Sequence, residues 1–81
     1  MGAKRSWLPA MAENLGDIVA GNLRRLRKER GWAQEELAHR AGINRNYIGM
    51  IERQENSPTI EMIERLSKAL DVDPVALLEG E

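Results

Sequence analysis

The sequence predicts an all-α domain of five short helices. Apolar residues recur every three to four positions in five separate segments, and glycine, proline or asparagine residues lie between those segments. There is no alternating apolar and polar run and no Asn-Gly pair, which argues against strands and hairpins. Aromatic residues make up only 4% of the chain and phenylalanine is absent, so mainly leucine, isoleucine, valine, alanine and methionine must form the core.

The first predicted helix ends at Arg30, because Gly31 is suited to a helix C-terminus. Two starting points are consistent with the sequence, one near Asp17 and one further back, after Pro9. The apolar stripe of this helix is formed by Val19, Leu23 and Leu26.

A tight turn separates the second and third predicted helices. The second extends from about residue 33 to residue 41, and Gly42 ends it because glycine adopts a positive φ without steric cost. Its inward residues are Leu37, Ala38 and Ala41. The third helix follows Asn44, whose side chain is a good N-cap, and it places Ile48 and Ile51 on one face.

The last two predicted helices each begin at a proline. Ser57 precedes Pro58 and Asp73 precedes Pro74, so each pair places a capping side chain before a proline at the first helical position. Apolar residues of the fourth helix should lie across the core, namely Ile60, Ile63, Leu66 and Leu70. The short fifth helix holds Val75, Leu77 and Leu78.

Length and composition restrict the chain to one domain with a modest core. We expect residues 1–16 to form a leader, either disordered or partly helical, and residues 17–79 to form the folded domain. The absence of cysteine excludes disulfides and thiolate metal sites, and no apolar run approaches the ~18–20 residues that cross a bilayer. We therefore expect a cytoplasmic, nucleoid-associated protein with no membrane contact.

Catalytic and metal-binding patterns are also lacking. His39 is the only histidine and has no second ligand at metal-binding spacing, so a surface histidine is expected. The sequence contains no recognisable nucleophile with an activating base and no glycine-rich phosphate loop. We expect no cofactor and no enzymatic activity.

Charge is distributed unevenly along the chain. The formal net charge is −1, but residues 17–54 hold eight basic against five acidic groups, and residues 55–81 hold two basic against seven acidic groups. A basic front and an acidic back would orient the molecule toward a polyanion.

Residues 34–53 carry the residue types that a helix-turn-helix requires. Two short helices that cross steeply need a small residue at their contact, here Ala38, and a positive φ in the turn, here Gly42. The shared core would be filled by Leu37, Ile43, Ile48 and Ile51. Each residue is common by itself, but the six together at this spacing are specific for this motif.

With this motif the chain resembles the XRE family of single-domain transcriptional regulators, whose DNA-binding domain is like that of phage repressors. The resemblance covers about residues 22–78 and implies a five-helix phage-repressor-like domain. It rests on LRKERGW at 26–32, QEELA at 34–38, AGI at 41–43, YI at 47–48, IER at 51–53, SPT at 57–59 and LDV at 70–72. The order RNYI followed by IER, at 45–53, is most similar to the controller proteins of restriction-modification systems.

The resemblance implies that the third helix lies in the major groove of double-stranded DNA with its N-terminal residues against base edges. Arg45 is suited to guanine, Asn46 to adenine or a phosphate, and Tyr47 to a phosphate or the thymine methyl group. Gly49 has no side chain, and Met50 offers only an apolar contact.

The second helix would cross the DNA backbone, which implies phosphate contacts for Gln34 and for Arg53 at the end of the motif. The DNA-binding candidates are therefore Gln34, Asn44, Arg45, Asn46, Tyr47, Met50 and Arg53. The resemblance further implies a partly buried ion pair between Arg27 and Glu52, with a structural role.

Two residues depart from the family pattern. Ala33 replaces the usual Ser or Thr N-cap, which costs ~0.5–2 kcal/mol of stability. Gln54 replaces the usual C-terminal glycine, so the loop at residues 54–56 either continues the helix or bends differently. Trp32 is expected to cover the core. The basic residues of the first helix are expected to be ordinary surface, with at most one near a phosphate; they are Arg24, Arg25, Lys28 and Arg30.

These expectations describe a repressor or autoregulator that acts as a homodimer on a palindromic operator, with no small-molecule effector. The dimer interface is expected in the C-terminal segment, through Val75, Leu77 and Leu78, with Trp7 and Leu8 as further candidates. The alternative is an antitoxin-like or adaptor module that keeps the fold but binds protein. Activation is equally open, and the sequence does not determine whether the context is restriction-modification, toxin-antitoxin or prophage.

Overall fold

A computed structural model describes residues 15–80 of the chain. Within that range there are five helices and no strands, which confirms the predicted all-α fold. In chain order the helices are α1 (Leu15–Glu29), α2 (Gln34–Ala41), α3 (Arg45–Glu52), α4 (Ile60–Leu70) and α5 (Val75–Leu78). Trp7, Leu8 and the alternative helix start after Pro9 lie outside the described residues. Among these five helices, none has the length and apolar character needed to cross a membrane.

The helices enclose one apolar core. Helix α1 packs against α3 and α5, and α2 packs against α3 and α4. Large apolar side chains that are almost completely buried come from every helix, namely Leu23, Leu37, Ile48, Ile51, Leu66, Leu70 and Leu77. Burial of such a side chain stabilises the fold by roughly 1.5–3 kcal/mol. Trp32 is partly buried against the same core, which confirms its expected covering role.

Two glycines with positive φ set the connections around α2. Gly31, at φ 72°, follows the end of α1, and its amide donates to the carbonyl of Lys28 at 2.9 Å. Gly42, at φ 68°, forms the predicted C-cap of α2, and the next amide, that of Ile43, donates to the carbonyl of Ala38 at 2.9 Å. The sharp turn between α2 and α3 therefore depends on Gly42.

The predicted start of the fourth helix was wrong. Helix α4 begins at Ile60, and its N-cap is Thr59, whose Oγ1 accepts a hydrogen bond from the amide of Met62 at 3.1 Å. Ser57 and Pro58 lie in the preceding loop because the hydroxyl nearest the helix provides the cap. Ile60 is 84% exposed rather than buried. Three residues are less than one helical turn, so residues 60, 63 and 66 do not lie directly above one another, and Ile60 falls at the edge of the apolar stripe.

The short α5 is fixed at both ends by side chains. Asp73 Oδ1 accepts from the amide of Val75 at 2.9 Å, as predicted for a capping side chain, although the helix begins at Val75 and not at Pro74. Asn22, which is 5% exposed, donates from Nδ2 to the carbonyls of Leu77 at 3.0 Å and Glu79 at 2.9 Å. Leu77 is fully buried in the core, so it cannot offer the surface that we expected of it in a dimer interface.

Candidate nucleic-acid interface

Helices α2 and α3 form the helix-turn-helix that the spacing predicts. Ala38 is 3% exposed, as expected for the small residue in this motif, and Ile48 and Ile51 fix the buried face of α3 in the core. Because these two isoleucines determine how the helix is rotated, Arg45 and Asn46 are turned away from the core.

The first turn of α3 presents polar side chains to solvent. Arg45 and Asn46 are exposed, and the Oδ1 of Asn44 accepts a hydrogen bond from the amide of Asn46 at 2.7 Å. The predicted N-cap role of Asn44 is confirmed. The cap uses the oxygen of Asn44 and leaves its Nδ2 donors available. Tyr47 is half-buried, with its ring packed against the core.

A buried ion pair joins α1 to the last residue of α3. Arg27 Nε lies 2.8 Å from Glu52 Oε2, and Arg27 Nη2 lies 2.9 Å from Glu52 Oε1. Arg27 Nη1 also donates to the carbonyl of Trp32 at 2.8 Å. The side chains are 10% and 1% exposed, so the pair implied by the family resemblance is present and is more fully buried than expected.

Two further residues share the carboxylate of Glu52. Gln34 Nε2 donates to Oε1 at 3.0 Å, and the half-exposed Arg24 lies with its Nε 3.6 Å from the same oxygen. Burial alone would raise the pKa of Glu52, but the hydrogen bonds from Arg27 and Gln34 and the positive charges of Arg27 and Arg24 together hold that pKa below its ordinary value. Glu52 is therefore ionised at neutral pH.

Gly49 lies beneath two of the predicted phosphate-binding residues. A Cβ atom at this buried position would lie 3.0 Å from Arg53 Nη1 and 3.5 Å from Gln34 Oε1. The sequence suggested only that Gly49 contributes no side chain. The missing Cβ leaves space for the end of Arg53 against α3, next to Gln34.

Arg53 is engaged with a neighbouring acid at the surface. Its Nε and Nη2 donate to the two oxygens of Glu55 at 2.9 and 3.1 Å, and both side chains are more than half exposed. The hydrogen bonds from Arg53 lower the pKa of Glu55. Glu55 was not identified from the sequence, because a charged residue in a polar loop carries no distinguishing pattern.

The remaining departures from the family pattern have simple structural outcomes. Ala33, at the start of α2, makes no side-chain cap, as expected from its methyl group. Gln54 adopts φ 63°, so the loop bends in the left-handed conformation that a glycine would adopt. Met50 is half-buried on α3. Arg40 stacks on the Trp32 ring at 4.2 Å from its centroid, a contact that the sequence did not indicate.

Comparisons with known proteins agree with this geometry. The helix-turn-helix family matches residues 23–77. The regulator SutR of Escherichia coli is 37% identical over 60 residues, which are 74% of this chain and 34% of SutR. The restriction-modification controller protein C.AhdI of Aeromonas hydrophila has a structure that superposes with a TM-score of 0.74 at 35% identity, covering 76% of this chain and 94% of that one.

A third relative has been solved with DNA. The structure of SinR, the master regulator for biofilm formation, in complex with DNA superposes with a TM-score of 0.72 at 35% identity, covering 75% of this chain and 98% of that chain. The chain spans 34% of SutR and 62% of a hypothetical transcription factor of Neisseria meningitidis, so it corresponds to one part of these longer relatives. The chain belongs to the helix-turn-helix family of XRE-type transcriptional regulators, which includes the restriction-modification controller proteins.

Proposed function

We propose that this protein is a sequence-specific DNA-binding regulator of transcription that inserts α3 into the major groove. The observation that carries the proposal is the first turn of α3, where Arg45 and Asn46 are exposed while Ile48 and Ile51 anchor the opposite face. A helix held in this way presents its N-terminal side chains as a rigid unit, which is what base recognition requires.

The exposed residues differ in what they offer to a base pair. Arg45 can donate two hydrogen bonds to the O6 and N7 of guanine, and Asn46 can pair with the N6 and N7 of adenine. Tyr47 and Met50 are half-buried, so they would add contacts at the rim of the groove rather than at its centre. Sequence preference should therefore depend mainly on Arg45 and Asn46.

Backbone contacts would come from Gln34 and Arg53. One amide hydrogen of Gln34 is used by Glu52, which leaves the second to donate to a phosphate without breaking the internal bond. Arg53 is bound to Glu55, so a phosphate has to compete with that carboxylate. This competition should weaken non-specific binding, because Glu55 already uses the Nε and Nη2 donors of Arg53 and offsets its positive charge.

A homodimer is the form in which we propose that the chain acts. A groove of about 660 Å³ separates the start of α1 from α4 and α5, and its lining includes Leu15, Ile60 and Leu78. These side chains are 55%, 84% and 39% exposed, and Val75 on α5 is 52% exposed. They are the exposed large apolar residues of the described part of the chain, and a second copy would remove them from water.

The DNA-binding proposal is tested by selecting bound duplexes from a random library. We expect enrichment of a sequence with two related half-sites about one helical turn, ~34–36 Å, apart, since a two-fold dimer presents two copies of α3. Recovery of unrelated sequences, with an affinity no higher than for random DNA, would overturn sequence-specific binding.

Sedimentation at micromolar concentration tests the dimer separately. The doubly substituted variant Ile60→Lys and Leu78→Lys should sediment as a monomer, because both charges would be buried at the interface. An Arg40→Gln variant is the control, since that side chain stacks on Trp32 and does not line the groove. A wild-type mass of 9.2 kDa at every concentration would contradict the dimer.

An antitoxin-like or adaptor function is the second candidate. The formal net charge of −1 and the exposed apolar groove favour a protein partner. The small size of Gly49 does not favour this alternative, because Arg53 Nη1 lies 3.0 Å from where its Cβ would be. If the DNA selection fails while the dimer or another protein complex forms, the second candidate replaces the first.

A further inference from the structure

Helix α1 and the residue that follows it carry several basic side chains whose contacts differ. Arg25 is paired with Glu29 on its own helix at 3.3 Å, and Arg30 donates to the carbonyl of Leu70. Arg24 instead reaches α3, where its Nη2 donates to the carbonyl of Glu52 at 3.2 Å and its Nε lies 3.6 Å from Glu52 Oε1. Arg24 therefore lies beside the helix proposed to enter the groove, whereas Arg25 pairs within α1 and Arg30 contacts the end of α4.

The charge around Glu52 is not balanced. Both carboxylate oxygens accept from Arg27 at short distances, and Oε1 also accepts from Gln34. The longer 3.6 Å approach of Arg24 adds a second guanidinium to a carboxylate that Arg27 already neutralises. The group of Arg24, Arg27 and Glu52 therefore has a formal charge of +1. The side chain of Arg24 is 49% exposed and that of Arg27 is 10% exposed, so it is Arg24 that presents this charge to solvent.

Neighbouring donors extend this charge into one surface. Gln34 and Arg24 both approach Glu52 Oε1, and Gln34 Oε1 and Arg53 Nη1 both lie next to Gly49. Arg24, Gln34 and Arg53 thus come from three different segments and meet around the C-terminal half of α3. All three side chains can donate hydrogen bonds, and the positive charge of Arg24 is not neutralised by Glu52. Such a surface is suited to a phosphate backbone.

We propose that Arg24 contacts a DNA phosphate and completes a backbone-binding surface with Gln34 and Arg53. The inference rests on the proposed DNA binding and adds α1 to the elements that touch the duplex. Arg24 would hold the C-terminal end of α3 through the Glu52 carbonyl and, with its remaining donors, bind the phosphate.

Salt-dependent binding of Arg24→Gln to a labelled random-sequence duplex tests the proposal, because phosphate contacts do not depend on sequence. Glutamine keeps an N–H donor at the position of Arg24 Nε but carries no charge. We expect the slope of log affinity against log salt to become shallower by ~0.9 per protomer, and affinity at 0.1 M salt to fall about eightfold per protomer. Arg24→Lys, which keeps the charge, should retain the wild-type slope.

Arg25→Gln is the matched control, since Arg25 is next in sequence and 44% exposed but is paired with Glu29. Its slope should equal that of the wild type. If wild type binds DNA and Arg24→Gln and Arg25→Gln have the same slope, the role of Arg24 is wrong and the proposed function stands. If wild type binds no duplex, the proposed function itself fails and this inference fails with it.

Discussion

Arg27 on α1 and Glu52 at the end of α3 form a bidentate ion pair across 25 residues of sequence, with both nitrogen-to-oxygen distances under 3.0 Å. Glu52 also accepts from Gln34, so one carboxylate links α1, α2 and α3. The orientation of the proposed recognition helix therefore depends on a charged contact as well as on apolar packing.

Replacing Glu52 by glutamine should destabilise the fold by ~2–3 kcal/mol, because it leaves the buried Arg27 without an anion while preserving the shape of the side chain. Urea denaturation at neutral pH measures this loss. Glu29→Gln is the control, since its pair with Arg25 is exposed and should contribute at most ~0.5 kcal/mol. Equal effects of the two substitutions would contradict a structural role for the buried pair.

The Glu52→Gln variant should also be less sensitive to acid than the wild type in its free energy of unfolding. The pKa of Glu52 is lowered in the folded protein, so its stabilising contribution is complete above the ordinary pKa of about 4.5 and is lost as the pH falls through the lower folded value. The difference in unfolding free energy between wild type and Glu52→Gln should thus be constant near neutral pH and shrink below pH 4.5. A difference that grows as the pH falls would contradict a lowered pKa for Glu52 in the folded protein.

Gln54→Gly should stabilise the protein by ~1 kcal/mol. Gln54 adopts φ 63°, a left-handed conformation in which a Cβ atom costs roughly 1–2 kcal/mol and glycine costs none, although glycine also loses more backbone freedom on folding. Thermal unfolding of Gln54→Ala provides the comparison, because alanine keeps the Cβ. An equal gain from alanine would show that the backbone conformation is not the cause.

Asn22→Ala should cost ~1–3 kcal/mol and loosen α5. The substitution removes the hydrogen bonds to the carbonyls of Leu77 and Glu79 and leaves polar groups without partners. Urea denaturation gives the loss, and hydrogen exchange at the α5 amides shows where it acts. Ser67→Ala is the control, since that buried hydroxyl donates only within its own helix and should cost less. Unchanged exchange in α5 would contradict the role of Asn22.

Gly49→Ala should preserve stability but weaken DNA binding. Alanine gains ~0.5–1 kcal/mol of helix stability over glycine, which offsets the displacement of the flexible Arg53 end. The new methyl group would lie 3.0 Å from Arg53 Nη1 and displace it, whereas its 3.5 Å distance to Gln34 Oε1 is an ordinary contact. Affinity should therefore fall for all sequences alike, through Arg53. Binding by anisotropy and unfolding by urea separate the two effects, and an unchanged affinity would argue against a shared backbone-binding surface.

Local signals predicted the fold well because most of the caps and apolar spacings of the described helices act within a few residues. Gly42, Asn44 and Asp73 were identified from single positions, since their conformations or side chains act within a few residues. Thr59 was missed because Ser57 offers the same hydroxyl beside the proline, and only the folded loop distinguishes them.

The site was less predictable because its contacts join distant segments. The role of Gly49 depends on Gln34 and Arg53, which approach it from α2 and from the residue after α3. The position of Arg24 depends on the angle at which α1 crosses α3, and the spacing of residues within α1 does not predict that angle. The pair of Arg27 and Glu52 was expected only through resemblance to the family.

The affinity of Arg45→Ala for the selected duplex, measured against duplexes with single base-pair changes, tests the central claim most directly. We predict a loss of ~1–3 kcal/mol that is confined to the base pair contacted by Arg45, so that changing that pair no longer affects the variant. Glu35→Ala, at an exposed position on α2, should leave the pattern unchanged. If Arg45→Ala binds as tightly as wild type and keeps the same preference at every position, α3 is not the element that recognises the sequence.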